Sequence, residues 1–202
     1  MKYKCITGGP ISENCYLLID EKTNQAAVVD PGFLNDALLN EIKKYTVQRI
    51  LLTHGHFDHI WEADRLHEML GVPVCAYETE AAFAADDKQN GSLLMMYESI
   101  TCKVHEVFKD GEIFQIGEVP VTVLHTPGHT AGGVSYITPD AVFTGDTLMG
   151  YSVGRCDLPT GNSAELRESL KKLAALPGNP DICGGHGPVT TLEDEKRRNP
   201  YL

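Results

Sequence analysis

The sequence has no apolar run approaching ~18 residues, the length that a membrane-spanning helix needs. Its start, Met1 to Ile6, lacks the apolar core and small-residue cleavage site of a secretory signal. Basic residues are also few: 17 Lys and Arg stand against 28 Asp and Glu, a formal charge of −11. Because nucleic-acid binding depends on Lys and Arg to release counterions, DNA and RNA are unfavourable partners. These absences predict a cytoplasmic protein with neither a nucleic-acid nor a membrane partner.

No two cysteines have the C-x-x-C spacing. The six cysteines are scattered, which is typical of free thiols in a reducing compartment rather than of a disulfide framework. Cys183 lies three residues before His186, but the ligand set described below is complete without it. We therefore leave Cys183 out of the site.

Linkers and low-complexity segments are absent too. Hydrophobic residues make up 42% of the sequence and charged residues 22%, which is an ordinary globular composition. We therefore predict one domain over residues 1–202. The hydrophobic spacing predicts strands followed by helices in both halves, hence two packed sheets with helices outside. The predicted strands are 16–19, 26–29, 47–53, 72–77, 104–107, 113–116, 121–124, 134–137 and 141–143, and the predicted helices are 34–45, 60–70 and 163–176. Ser163 is the predicted N-cap of the last helix, and Met95 to Tyr97 is interpreted as core. No feature indicates an oligomeric state.

What the sequence does contain is a dense cluster of side chains that bind metals. Residues 54–59 read His-Gly-His-Phe-Asp-His, three imidazoles and a carboxylate directly after a predicted strand. Neutral imidazole and ionised carboxylate are ligands for zinc, iron and manganese. A single histidine more often has a structural role, but four ligand-type side chains in one short segment favour a metal site.

Three further ligand candidates each follow a strand pattern beside glycine. They are His129 in Thr-Pro-Gly-His-Thr, Asp146 in Thr-Gly-Asp-Thr and His186 in Gly-Gly-His-Gly-Pro. Glycine at such a position lets the backbone turn tightly while the ligand side chain faces a shared cleft. Each candidate alone could be a turn residue or a helix cap. Together with the first cluster, they predict a set of converging ligands.

This pattern, H-x-H-x-D-H followed by a TPGHT histidine, a TGD aspartate and a GHG histidine, resembles the metallo-β-lactamase superfamily. The likeness implies an α+β fold, a four-layer αββα sandwich of two mixed β-sheets with helices on the outer faces. It also implies two divalent metal ions. The first would be held by His54, His56 and His129, the second by Asp58, His59 and His186, and Asp146 would bridge them. Zinc is our first choice, and iron or manganese suits the same donors.

Within that superfamily, the chain is most similar to short, single-domain relatives of glyoxalase II, through the segments 154–159 and 185–200. This likeness implies that Arg155 binds substrate by holding the carboxylate of the thiol carrier. There are two departures. The sequence lacks the helical carboxyl-terminal domain that grips glutathione, and Asp157 stands where that family tends to have tyrosine. The identity of the carrier thiol therefore stays open. The basic triplet 196–198 is interpreted as solvated surface.

The activity implied by the resemblance is hydrolysis of a small-molecule hydroxyacyl thioester similar to S-lactoylglutathione. Two ions roughly 3.5–4 Å apart lower the pKa of a shared water toward neutrality, and Asp58 would orient the resulting hydroxide as the catalytic residue. A thiolate with a conjugate-acid pKa near ~8.5 leaves with little proton donation.

Other activities stay open. Similar ligands serve persulfide dioxygenases with a single iron, and β-lactam or lactone hydrolases of the same superfamily. A metal-binding protein without catalysis is a further alternative. Flavodiiron proteins are disfavoured because they usually carry glutamate at the position of His56.

Overall fold

Two six-stranded mixed sheets form the centre of the computed structural model, which describes all 202 residues. The first sheet has the order β1-β2-β3-β4-β5-β6, with antiparallel pairs among β1 to β3 and parallel pairs from β3 to β6. Its strands are β1 Lys2–Gly8, β2 Glu13–Asp20, β3 Gln25–Val29, β4 Thr46–Leu51, β5 Val74–Tyr77 and β6 Glu106–Phe108.

The second sheet has the order β12-β11-β10-β9-β8-β7, and only β10 and β11 are parallel. Its strands are β7 Ile113–Ile116, β8 Val119–His125, β9 Val134–Ile137, β10 Ala141–Gly145, β11 Asp181–Gly184 and β12 Thr190–Thr191. The helices are α1 Asp36–Ile42, α2 Phe57–Ile60, α3 Ala63–Leu70, α4 Glu80–Ala84, α5 Ser92–Met95, α6 Ser163–Ala174 and α7 Leu192–Arg198. None of these helices is long and apolar enough to cross a membrane.

Side-chain alternation along β2 shows how the layers form. Every residue of β2 is buried, and successive side chains of a strand point to opposite faces of the sheet. Leu17 and Ile19 pack in an outer core with residues of α1 and α3. Tyr16 and Leu18 pack in the core between the two sheets, which also contains Phe143 of β10. Because β2 is buried on both faces, its sequence is the near-continuous apolar run that predicted this strand.

A third apolar cluster covers the other outer face. Leu166, Leu170 and Leu173 of α6 pack on Val142 and Ile182 of the second sheet. The predicted order of layers, helix, sheet, sheet and helix, is therefore confirmed. All six cysteines are free, and Cys183 is buried in the core between the sheets.

Several predicted helix boundaries were wrong because short polar side chains determine where helices begin. The first helix begins at Asp36 rather than Leu34, since Asn35 Oδ1 accepts a hydrogen bond from the Leu38 N–H at 2.9 Å. The N-cap of α6 is Asn162, not Ser163, and its Oδ1 accepts from two backbone N–H groups of the first turn. That helix ends at Ala174, before Leu176.

The interpretation of residues 95–97 as core was also wrong. Met95 is 43% exposed and Tyr97 is 90% exposed, and only Met96 packs against the outer core. The segment follows α5, a single turn of helix that leaves most of its apolar side chains uncovered. The basic triplet 196–198 is exposed on the last turn of α7, as predicted.

The ligand-bearing loops begin where strands end, which positions the site. β4 ends at Leu51, β8 at His125, β10 at Gly145 and β11 at Gly184, and each end is followed within four residues by a predicted ligand. The two sheets are joined at this edge, because the Asn14 N–H of β2 donates to the Gly185 carbonyl at 2.7 Å. The loops from both sheets therefore open into one cleft.

Candidate metal centre

Six of the seven predicted ligand side chains form two groups of three at this cleft. Ligand atoms of His54, His56 and His129 lie within 4.8 Å of one another, and so do those of Asp58, His59 and His186. These are the two sets that the resemblance to the metallo-β-lactamase superfamily implied for the first and the second ion. The structure thus brings together side chains that are up to 132 positions apart, from His54 to His186.

Asp146 lies between the two groups. Its Oδ2 is 3.5 Å from His129 Nε2 in the first group, and its Oδ1 is 3.5 Å from His59 Nε2 in the second. Asp146 Oδ2 is also 3.8 Å from His186 Nε2. The Asp146 carboxylate therefore lies beside histidines of both groups.

Hydrogen bonds behind the histidines determine which ring nitrogen faces the cleft. His59 Nδ1 lies 3.0 Å from Asp30 Oδ2, and His54 Nδ1 lies 3.1 Å from Thr53 Oγ1, whose hydroxyl donates to Asp30 Oδ2 at 2.6 Å. Because both acceptors require an Nδ1–H donor, the Nε2 lone pairs of both rings are free to face the cleft. Asp30 therefore orients one histidine of each group.

His129 is oriented by the backbone instead. Its Nδ1–H donates to the Arg155 carbonyl at 2.7 Å, which leaves Nε2 as the unprotonated nitrogen. That Nε2 lies 2.8 Å from His56 Nδ1. His56 Nδ1–H therefore donates a hydrogen bond to His129 Nε2, which holds the two rings of the first group together.

Unpaired buried atoms provide a test of whether a metal fits. His54 Nε2, His59 Nε2 and Asp146 Oδ1 are buried and have no hydrogen-bond partner in the protein. Leaving a buried polar atom unsatisfied costs about 1–3 kcal/mol. His59 Nε2 lies 3.5 Å from Asp146 Oδ1, and His54 and His59 belong to the two ligand groups, so bound divalent ions would satisfy these atoms. The donor set, imidazole nitrogens and carboxylate oxygens, fits zinc, iron and manganese.

Burial and neighbouring charges set the protonation of the first group. Burial, followed by the charges of neighbouring histidines, lowers the pKa of His54 well below its usual value. Burial and His129 lower the pKa of His56 to about 3. Both imidazoles are therefore neutral at pH 7, which is the form that binds a metal.

In the second group, neighbouring charges outweigh burial and favour the charged forms of Asp58 and His59. Burial opposes ionisation of Asp58, but the charge of His59 and the hydrogen bond from His186 outweigh it and lower the Asp58 pKa well below its usual value. Burial also opposes protonation of His59, but Asp58, Asp146 and Asp30 together raise its pKa. Since a ligand histidine must be neutral, filling this group with a metal releases a proton.

Two glycines allow the ligands to come this close. A Cβ added to Gly185 would lie 2.3 Å from Asp146 Oδ1 and 2.5 Å from His59 Cε1. A Cβ added to Gly154 would lie 2.3 Å from the Asp146 carbonyl oxygen and 2.6 Å from His129 Nδ1. Glycine is thus required at both positions for close approach, and Gly185 belongs to one of the ligand motifs identified in the sequence.

Glu80 is a buried residue of the site that sequence reasoning missed. Its carboxylate accepts hydrogen bonds from the Gly55 N–H at 2.7 Å and from the Gly132 N–H at 2.8 Å. Gly55 separates His54 from His56, and Gly132 follows His129, so Glu80 joins the two loops of the first group. Burial raises the Glu80 pKa. No local pattern marks Glu80, because its partners are backbone groups of distant loops.

Asp30 was also missed as part of the site, although a signal for it existed. It follows β3 in an Asp-Pro-Gly sequence, and the other strand ends of this edge also lead to site residues. Its carboxylate accepts hydrogen bonds from the Thr53 N–H, the Thr53 hydroxyl and His59 Nδ1.

Replacing Asp30 with alanine is expected to weaken metal binding about 10–100-fold, because His54 and His59 lose the partner that orients them. Competition with a chromogenic chelator measures this affinity. The Asp36→Ala variant is a matched control, since Asp36 is exposed at the start of α1 and away from the site. Equal affinities for the Asp30 variant and the control would show that Asp30 has no role in metal binding.

The cleft over these groups has a volume of about 200 Å³ and mostly apolar walls. Its apolar lining residues are Ile11, Phe57, Met95, Met149 and Leu158. Arg155 also lines the cleft, but its guanidinium donates two hydrogen bonds to Asp157, from Nε at 2.6 Å and from Nη2 at 2.7 Å. The sequence prediction placed Arg155 beside the substrate and did not foresee this pairing.

The fold consists of two mixed sheets between helical layers, and imidazole and carboxylate groups compatible with a metal site lie at the strand ends. These features are typical of the class of metal-binding αββα proteins. The family profile of the metallo-beta-lactamase superfamily matches residues 8–186. The chain belongs to this superfamily.

Related proteins agree with this membership. The chain is 38% identical to "Probable metallo-hydrolase YqgX" of Bacillus subtilis (strain 168), over all of this chain and 98% of that protein. It is 32% identical to "Hydroxyacylglutathione hydrolase GloC" of Haemophilus influenzae, again over all of this chain and 98% of that protein.

Solved structures show the same fold. BLEG-1, described as a B3 metallo-beta-lactamase, is 35% identical with a TM-score of 0.93, over 100% of this chain and 99% of that one. TTHA1623 in a di-iron-bound form is 34% identical with a TM-score of 0.84, over 98% and 100%. ETHE1 from Myxococcus xanthus is 29% identical with a TM-score of 0.81, over 99% and 84%. These similarities support a metallo-hydrolase of this superfamily. Because the related proteins carry different names, the similarities do not identify a substrate.

Proposed function

We propose that the protein hydrolyses a small hydroxyacyl thioester at a centre of two divalent metal ions. The observation that carries this proposal is the placement of Asp146 between two groups of three ligands, with its carboxylate oxygens within 3.8 Å of histidines in both groups. His54, His56 and His129 would hold one ion, and Asp58, His59 and His186 the other. Zinc is the metal we propose, and the likeness to a di-iron structure makes iron the first alternative.

Bound there, two such ions would supply an activated water at neutral pH and a Lewis acid for the substrate carbonyl. The chain's own groups would place the reactants. Asp58 Oδ2 lies 3.1 Å from His186 Nε2 and 3.4 Å from His59 Nε2. The Asp58 carboxylate stays ionised and can accept a hydrogen bond from a water molecule, which would fix the orientation of that water. The apolar walls of the cleft would contact the acyl group.

The groups that line the cleft favour a thioester over an amide. A leaving amine must be protonated, whereas a thiolate with a conjugate-acid pKa near ~8.5 can leave without an acid. The cleft is lined by no lysine, tyrosine or cysteine, and all of its histidines belong to the two ligand groups. A good leaving group is therefore the chemistry that this site supports best.

The test is an assay of the metal-loaded protein with lactoyl thioesters of glutathione and of N-acetylcysteamine, with thiol release followed by a colorimetric reagent. We expect thiol release from at least one of them and none from protein stripped by a chelator. Intact thioesters in the presence of two bound ions per chain would contradict the proposal.

Two other activities are supported by particular observations, and each is measured in parallel with thiol release. The likeness to BLEG-1 supports opening of a β-lactam ring, which turnover of nitrocefin detects. A mononuclear-iron persulfide dioxygenase would need two histidines and one carboxylate, and the site contains such a set in His54, His129 and Asp146. Oxygen uptake with a persulfide and one iron per chain would favour that reaction over hydrolysis.

A further inference from the structure

The carboxyl end of α7 contacts the loop 147–154, although no residue of α7 lines the cleft. Glu195 and Asn199, one turn apart at this end, are 0% and 4% exposed. Asn199 Nδ2 donates one hydrogen bond to Glu195 Oε2 at 2.8 Å and another to the Ser152 carbonyl at 3.1 Å. Glu195 Oε1 in turn accepts a hydrogen bond from the Tyr151 N–H at 3.0 Å. Two buried side chains therefore hold the backbone of the loop.

The loop has a backbone conformation at this point that needs such support. Tyr151 has a φ of 66°, a left-handed conformation that bulky residues rarely adopt unless neighbouring contacts hold it. The Arg198 guanidinium lies over the Tyr151 ring, with Cζ 4.1 Å from the ring centroid, and its Nη1 donates to the Tyr151 hydroxyl at 3.0 Å. Three residues from the end of α7 thus contact one turn of the loop. We call Glu195, Arg198 and Asn199 the α7 clamp.

The far end of this loop is bonded to predicted ligands of the metal centre. The Gly154 N–H donates to the Asp146 carbonyl at 2.7 Å. The carbonyl of the next residue, Arg155, accepts the hydrogen bond from His129 Nδ1, also at 2.7 Å. A displacement of the loop would therefore loosen the backbone of Asp146 and the ring of His129 together.

We propose that the α7 clamp positions the metal centre by holding the loop 147–154 in its left-handed turn. Its three residues lie outside the cleft and touch neither substrate nor metal ligands, so they are positioning residues that act through the loop. This role rests on the metal centre proposed above and is independent of which substrate is cleaved.

The test is the rate at which the His129 Nδ1–H exchanges with solvent, measured by NMR of the ring N–H groups in the parent and in Asn199→Ala, with and without zinc. The His59 Nδ1–H is the internal reference, since its partner is Asp30 Oδ2 at 3.0 Å and not the loop. We expect exchange about 10-fold faster or more at His129 and unchanged at His59, because only the loop opens locally. The affinity for zinc, measured by competition with a chelator, should fall about 3–10-fold, less than when a ligand loses its direct partner.

Two neighbouring arginines provide a matched pair of surface variants. Both are exposed at the end of α7, but Arg198 stacks on Tyr151 whereas Arg197 pairs with Asp194 on the helix itself. We expect Arg198→Ala to speed exchange at His129 about 2–5-fold, the factor that an exposed cation–π contact supplies. Arg197→Ala makes the same change in net charge and should behave as the parent.

Because Arg198 is exposed, its replacement keeps the fold and tests the role of the clamp even where Asn199→Ala does not fold. Unchanged exchange at His129 in the clamp variants would overturn that role. Equal acceleration at His129 and His59 would overturn it as well, because it would show a general loss of rigidity.

Measurements with and without zinc keep this role distinguishable from the proposed function. If the chain binds no zinc, the proposed centre is wrong, and the His129 signal of the metal-free protein still tests the clamp, since the hydrogen bonds involved contain no metal. If the chain binds two zinc ions and releases thiol while His129 is unchanged in the clamp variants, the role of the clamp is wrong and the reaction stands.

Discussion

Replacing Asp58 with alanine is expected to lower kcat/KM for a thioester about 10²–10⁴-fold, the loss that follows removal of a group that positions a reacting water and accepts its proton. The variant should also lose one of two metal ions. Asp58 belongs to the group with His59 and His186, whereas the other group shares no ligand with it. The ion held by His54, His56 and His129 should therefore remain. Elemental analysis of the dialysed protein, beside the thiol-release assay, measures both effects.

The Asp36→Ala variant again provides the control, because it removes an exposed aspartate and leaves the cleft unchanged. Thermal unfolding of both variants distinguishes a local change from loss of the fold. If the Asp58 variant retained both ions and full activity, the cleft would have been assigned to the wrong residues.

Replacing Asp146 with alanine is expected to have a larger effect, because Asp146 is the predicted ligand that lies beside histidines of both groups. Its two oxygens are each 3.5 Å from a histidine, one in each group. Burial opposes ionisation of Asp146, but the charge of His59 outweighs it and lowers the Asp146 pKa to about 2, so the carboxylate is ionised at neutral pH. Its removal takes a negative ligand from both ions at once. We expect less than one ion per chain and a loss of activity of about 10³-fold or more.

The Asp146→Asn variant distinguishes the contribution of the negative charge to metal binding from the contribution of side-chain shape. Asparagine keeps the volume of the side chain but removes the negative charge, so it should bind metal almost as poorly as alanine does. Asp140→Ala, an exposed aspartate beyond the opposite end of β10, should behave as the parent protein. If Asp146→Asn kept two ions and most of the activity, Asp146 would not bridge the two groups.

The layers of the fold could be predicted because they depend on local alternation. The apolar runs 16–19 and 26–29 became central strands of the first sheet, and the strand ends before His54, His129, Asp146 and His186 all open into one cleft. Edge strand β1 was missed, since none of its residues is fully buried and its sequence lacks the apolar pattern of a core strand. Its stability comes from pairing with β2, which is a long-range property.

The candidate ligands could be predicted from residue type and spacing, but the residues that position them could not. Glu80 acts through hydrogen bonds to the backbone of two distant loops, and Asp30 acts through hydrogen bonds to side chains. Such roles depend on three-dimensional placement and leave no periodic pattern. The pairing of Arg155 with Asp157 is the opposite case, because two residues close in sequence could have been recognised as a pair. The likeness to glyoxalase II directed attention to the arginine alone.

The most direct test of the central claim is a titration of metal-free protein with zinc, in which the release of thiol from a lactoyl thioester is recorded at each added equivalent. The proposed centre predicts that activity rises until two ions are bound per chain and then stays constant. The opposite result would be activity that saturates at one ion, or no thiol release when both positions are filled. Either outcome would contradict a hydrolase that works with two metal ions.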